Sequence, residues 1–247
     1  MKLSYYSLFK KSYKINSKVR KIGSTSLTGL FFNRLSNFFL PFFIYLSVKA
    51  NSITYFNFFL CLLSCVIFLN FNQEYLFLNY FCFFIFMLFD HIDGGVARFN
   101  NYKTFWGKFI DGLVDALFFS FFYFFTLIFY YKLSGDFFIL VYGIIGIIIF
   151  CFDIFLLDRF SAITRWCNEE NKLTKPTYIR KNNLLKVNII FQDLNFILIS
   201  LIFFFGLDSP YVIKIIYSFF TLLILSGIIN YLVHIKYAYK NFNYRKK

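Results

Sequence analysis

Four aspartates, Asp90, Asp93, Asp111 and Asp115, fall inside one short segment, DHIDGGVARFNNYKTFWGKFIDGLVD (residues 90–115), of a strongly apolar chain. The first pair is spaced i, i+3 and the second i, i+4, so on helices each pair projects from one face. A short connection turns the two helices antiparallel and lets the four carboxylates converge. Burying one unpaired carboxylate costs about several kcal/mol, and like charges at close range repel. Arg98 and Lys108 are too few, and too far along, to neutralise four acids. One or two divalent cations are the natural compensation. All-oxygen ligation favours Mg²⁺ or Mn²⁺, or Ca²⁺, over zinc or copper.

The residues between the acids fit a phosphorylated ligand. Gly94 and Gly95 follow the first pair, Ala97 precedes Arg98, and Gly107 stands one turn before Asp111. Small side chains let a ligand or a neighbouring helix approach the backbone, and the planar fork of Arg98 suits phosphate. Metal, arginine and small residues together suit a diphosphate-containing nucleotide. Phosphoryl transfer asks for little more than positioning, charge neutralisation and a base for the attacking hydroxyl.

The elements that carry these residues must lie in a membrane. The chain of 247 residues is 59% hydrophobic and only 15% charged, outside the range of soluble domains. Apolar windows long enough to cross about 30 Å of hydrocarbon predict six transmembrane helices, over 53–71, 75–96, 109–131, 137–157, 187–206 and 211–234. The fold class is therefore all-α integral membrane. Residues 38–48, FFLPFFIYLSV, are too short to span, are interrupted by Pro41, and read as an interfacial helix behind a basic tail. The organisation expected is a tail and interfacial helix over 1–52, then one six-helix membrane domain over 53–247.

With six spans both termini share one side. That side, with the 97–108 connection and the 158–186 loop, holds all of the 26 Lys/Arg except Lys132 and Lys214, so it is read as cytoplasmic. The acid cluster then sits at the cytoplasmic end of the second span. The net charge of +14 flanks apolar spans, which suits topology and anionic membrane lipids rather than nucleic acid. The five cysteines have no metal-ligand spacing and read as small core residues. The first 30 residues carry seven Lys/Arg and no acid, without the apolar stretch and cleavage site of a signal peptide.

Asp90-x-x-Asp93-Gly94-x-x-Ala97-Arg98, eight residues, Gly107-x-x-x-Asp111-x-x-x-Asp115 resembles the full signature of the CDP-alcohol phosphatidyltransferases. The six-span layout extends that resemblance over most of the chain. It implies an enzyme in which a hydroxyl attacks the β-phosphate of a CDP-linked donor, such as CDP-diacylglycerol, and CMP leaves. By the same resemblance Asp90, Asp93, Asp111 and Asp115 hold two divalent ions, Mg²⁺ or Mn²⁺, and Asp115 is also the general base. Asp93, Gly94, Ala97 and Gly107 border the cytidine and its ribose, and Arg98 binds phosphate. The family often opens its first span with Pro-Asn-x-x-Thr; Asn51 and Thr54 match and line the nucleotide pocket, with Ala50 in place of the proline. Members are commonly homodimers.

Other readings compete. Helix capping and local pairing would explain one intramembrane acid but not four in a fixed frame with Gly, Ala and Arg. An ion transporter would place acids near the midplane rather than at one face. Within the family, a donor carrying a small head group, attacked by a lipid hydroxyl, is the main alternative, though such members usually have more spans. The acceptor stays open among glycerol phosphate, inositol phosphate, other polyols and serine; NRLS at 33–36 faintly resembles members that act on inositol phosphate. In the 158–186 loop, Arg159, Arg165 and Lys186 suit a phosphorylated acceptor, beside the plainer role of topology control. Asp153, Gln192, Asp193 and Asn195 either line an acceptor pocket or join helices, and packing is the favoured reading. His91 and His234 read as head-group-level polar residues.

Overall fold

A computed structural model describes residues 7–10, 13, 26–69, 75–101, 104–169, 183–205 and 211–242. Among them the chain is helical: α1 (Leu27–Tyr45), α2 (Ala50–Leu69), α3 (Leu76–Phe99), α4 (Phe105–Ser134), α5 (Phe137–Glu169), α6 (Asn183–Phe205) and α7 (Tyr211–Phe242). Six of these, α2 to α7, are long and apolar enough to cross a membrane, as expected. The protein is a multi-pass membrane protein.

Most helices run past the ends that the apolar windows predict. A hydropathy reading stops at the first charges, whereas backbone hydrogen bonding continues until something breaks it. The clearest case is α5, which continues to Glu169, so residues 158–169 are helix rather than loop. The segment holds no Gly or Pro, and Thr164 folds its hydroxyl onto the Phe160 carbonyl at 2.7 Å. The helix before the spans also differs from expectation, running from Leu27 to Tyr45 rather than over 38–48. Ser26 starts it by accepting a hydrogen bond from the Gly29 N–H at 3.1 Å. Pro41 sits inside it near the end, where it forgoes one backbone bond to the Asn37 carbonyl. Ser47, at φ 56°, turns the chain into α2.

The chain divides into two compact units, Met1–Phe129 and Tyr130–Lys247. In the first, α3 packs against α1 and α2. Hydrocarbon offers no hydrophobic drive between helices, so shape and hydrogen bonds decide the packing. Aromatic rings fill the seam between α3 and α4: Phe86 stacks on Phe118 at 3.7 Å and Phe83 on Phe122 at 4.6 Å between centroids. Phe68 of α2 joins them, edge-on to Phe122 at 5.7 Å. Deeper in the same unit, the Ser64 hydroxyl donates to Asn79 Oδ1 at 2.8 Å, tying α2 to α3.

In the second unit α7 packs on both α5 and α6. Its centre is a buried polar ladder. Asn230 Nδ2 donates to Asp153 Oδ2 at 2.8 Å, Asn188 Nδ2 donates to Asn230 Oδ1 at 2.7 Å, and the Ser226 hydroxyl donates to Asn188 Oδ1. Asp153 thus joins helices, while Asp193 and Asn195 are buried on α6 and Gln192 is exposed. His234 is buried among the helices, with Nδ1 2.8 Å from the Asn230 carbonyl. Replacing Asn230 with Leu orphans both Asp153 Oδ2 and Asn188 Nδ2. A lost partner costs about 1–3 kcal/mol for each buried group. Thermal unfolding of Asn230→Leu in detergent is therefore expected well below that of the parent, and an unchanged midpoint would remove the ladder as a stabilising element.

Candidate metal and nucleotide site

Asp90 and Asp93 lie near the C-terminal end of α3, and Asp111 and Asp115 near the start of α4. The chain reverses after Phe99, with Asn101 at φ 51°, a left-handed conformation that asparagine tolerates better than most residues. One oxygen from each of Asp90, Asp93 and Asp111 lies within 4.8 Å of the others. At that spacing and an effective dielectric of 20, each pair of full charges would repel by about 3 kcal/mol. Ligand oxygens of an octahedral ion at about 2.1 Å lie about 3–4 Å apart, so the three groups stand close to the separation of a hard-metal shell. The donor set fits a divalent cation.

Burial divides the labour among the acids. Asp93 is only 4% exposed and is fixed by Thr54, whose hydroxyl donates to its Oδ2 at 2.8 Å. Thr54 comes from α2, so the first span holds the acid of the second in place. Asp90 and Asp111 are half-buried and more open. Asp115, also half-buried, lies one helical turn beyond Asp111 and outside the 4.8 Å set. The charges of Asp90, Asp111 and Asp93 nonetheless act on it. The structure therefore gathers three of the four predicted acids at one point, with the fourth alongside.

The predicted nucleotide residues surround the same corner. A Cβ built on Gly107 would lie 2.9 Å from Asn51 Oδ1 and 2.9 Å from Thr104 Oγ1, so the start of α2 is pressed against the start of α4 at that glycine. Gly94 plays the same part for Arg98, whose Nη1 would lie 3.1 Å from an added Cβ. The charges of Asp93 and Asp90 attract this arginine. Gly94 and Ala97 are half-buried. Thr104 was not among the residues read from the sequence. It caps α4 by accepting the Gly107 N–H at 2.9 Å, and a threonine just ahead of a helix is the signal that would have found it.

Three carboxylates in metal spacing, an arginine over a glycine and a threonine-anchored aspartate make a corner suited to a metal-bound diphosphate. The sequence pattern of the CDP-alcohol phosphatidyltransferases matches residues 47–228, most of the chain. The chain belongs to the CDP-alcohol phosphatidyltransferase family. Comparison with individually curated proteins finds no match. The protein is thus a transferase of substituted phosphate groups, acting in phosphatidyl transfer from a CDP-alcohol, and the ion-transporter reading is set aside. The family uses divalent metal ions, and the Asp90, Asp93 and Asp111 cluster, with Asp93 buried and the other two half-buried, is a group of side chains that could hold one.

The residues predicted for the acceptor stand on the second unit. Arg159 is exposed on α5 with its guanidinium 5.7 Å from the Phe155 ring centroid, and Lys186 is exposed on α6. Arg165 lies on α5, with its side chain outside the described residues, as is the 170–182 segment.

Proposed function

We propose that the protein transfers a phosphatidyl group from CDP-diacylglycerol to the hydroxyl of a small acceptor at the cytoplasmic face, releasing CMP. The observation that carries this reading is the trio of Asp90, Asp93 and Asp111 oxygens within 4.8 Å, anchored through Thr54. Asp90, Asp93, Asp111 and Asp115 would hold two ions, Mg²⁺ or Mn²⁺, which when bound supply charge neutralisation for the diphosphate. Asn51, Thr54, Gly94, Ala97 and Gly107 border the nucleotide with Asp93, and Arg98 holds a phosphate oxygen. Asp115 accepts the proton of the attacking hydroxyl. The acceptor oxygen then bonds to the β-phosphorus as the bond from that phosphorus to the CMP oxygen breaks.

The six-span layout favours a lipid-bearing donor over a CDP-linked head group. Arg159, Arg165 and Lys186 suit a phosphorylated polyol acceptor. Exposed Phe31, Phe38, Phe42 and Tyr45 on α1 suit the interfacial role read for residues 1–52, ahead of a catalytic domain over 53–247. As in other members, a homodimer is the expected assembly.

The test is CMP release by the purified protein in detergent with Mg²⁺ or Mn²⁺. CDP-diacylglycerol is offered with glycerol 3-phosphate, inositol, inositol phosphate or serine. Metal-dependent CMP with one acceptor is the expected result. Turnover only with CDP-choline or CDP-ethanolamine and a lipid alcohol would overturn the donor assignment.

Gly107 allows a narrower check on the nucleotide corner. In Gly107→Val the side chain must displace Asn51 and Thr104, and overpacking of this kind costs about 1–3 kcal/mol. Because Asn51 is then moved from the place where it borders the nucleotide, CMP binding by titration calorimetry is expected to weaken, and an unchanged affinity would take this corner out of the nucleotide site.

A further inference from the structure

The motif leaves one of its own residues without a role. His91 follows Asp90 and is not a signature position, yet it is held as tightly as a functional side chain. Its Nδ1 lies 2.9 Å from the Met87 carbonyl, and a carbonyl oxygen only accepts, so Nδ1 carries the hydrogen. The same Nδ1 lies 3.3 Å from Asp90 Oδ2. The ring packs against Phe32 of α1, with centroids 5.8 Å apart, and Phe32 is fully buried. Phe32 is itself clamped to α3 by Phe84 at 5.2 Å.

Asp93 is anchored by Thr54, whereas Asp90 Oδ2 has the His91 ring beside it, with Nδ1 at 3.3 Å. We propose that His91 is the positioning residue for Asp90, aiming its carboxylate at the metal, and that α1 holds His91 in place through Phe32. The helix ahead of the spans is then a wall of the metal site as well as a membrane anchor. This rests on the reading of Asp90, Asp93 and Asp111 as a metal site, not on the identity of donor or acceptor. Carboxylate ligands that lose such an outer partner typically lose about 10–100-fold in metal affinity.

The experiment is Mn²⁺ binding to the full-length protein in detergent, followed by electron paramagnetic resonance of the free ion, which needs no turnover. His91→Phe keeps an aromatic ring against Phe32 but removes both ring nitrogens and with them the N–H. His91→Leu removes it with a smaller group, and His91→Asn restores a donor at the same distance from the backbone. The Phe and Leu variants are expected to bind Mn²⁺ at least about tenfold more weakly, with Asn within about twofold of the parent. Phe32→Ala is expected to fall between. Undiminished binding in whichever of the Phe and Leu variants folds, or an Asn variant as weak as they are, would overturn the proposal. Parent protein that binds no Mn²⁺ would overturn the metal site itself. Parent that binds Mn²⁺ but releases no CMP would overturn the proposed donor and leave the His91 result standing.

Discussion

Asp93→Asn is expected to leave the protein folded but insensitive to metal, with turnover lost. Asp93 is the most buried of the four acids, and its neighbours Asp111 and Asp90 carry the same charge. Without a cation, neutralising it relieves repulsion, and an asparagine oxygen can still accept the Thr54 hydroxyl. The metal-free variant should therefore unfold no earlier than the parent. A ligand that binds only the folded state at about a hundred times its Kd stabilises by about 2.7 kcal/mol, so the parent's unfolding temperature should rise with added Mg²⁺ or Mn²⁺. In the variant that rise should vanish, because losing a direct ligand costs more than the roughly 10–100-fold attached to outer partners. Thermal scans with and without metal separate the two roles. A variant that unfolds early regardless of metal would make Asp93 a packing residue, and one that keeps its metal response would move the ion elsewhere.

Why the convergence of the acids was legible follows from where its information lies. Asp90 to Asp115 are close in sequence, so helix periodicity and one short turn suffice to bring them together. The spans were equally legible, because hydrocarbon thickness fixes a minimum apolar length. What escaped depends on partners that spacing does not encode. His91 is held by the backbone carbonyl of Met87 and by Phe32, far back in the chain and on a helix that begins well before its apolar run. That start is set by Ser26, a cap outside the apolar run. Asp153 and Asn230 are tied across helices, and a sequence reading could say only that polar groups inside spans must find something to bond. α5 and α1 reach past their apolar runs for a related reason: hydropathy reports on the solvent, whereas helix ends are decided by caps and breakers.

The same geometry that gathers three acids sets Asp115 apart, and that separation gives the second large effect. A general base contributes on the order of 10²–10⁴-fold, so Asp115→Asn is expected to reduce turnover by at least that factor. If Asp115 acts chiefly as base, the Asp90, Asp93 and Asp111 trio remains intact in the variant. Mn²⁺ binding and the metal-dependent rise in unfolding temperature should then survive the substitution that removes turnover. If Asp115 is equally a ligand of a second ion, the bound Mn²⁺ should fall from two to one per chain while the first site is kept. Activity near the parent's would refute both roles. Because Asp93→Asn is expected to abolish metal response and turnover together, whereas Asp115→Asn keeps at least one bound ion, the pair of variants separates holding the diphosphate from accepting the proton.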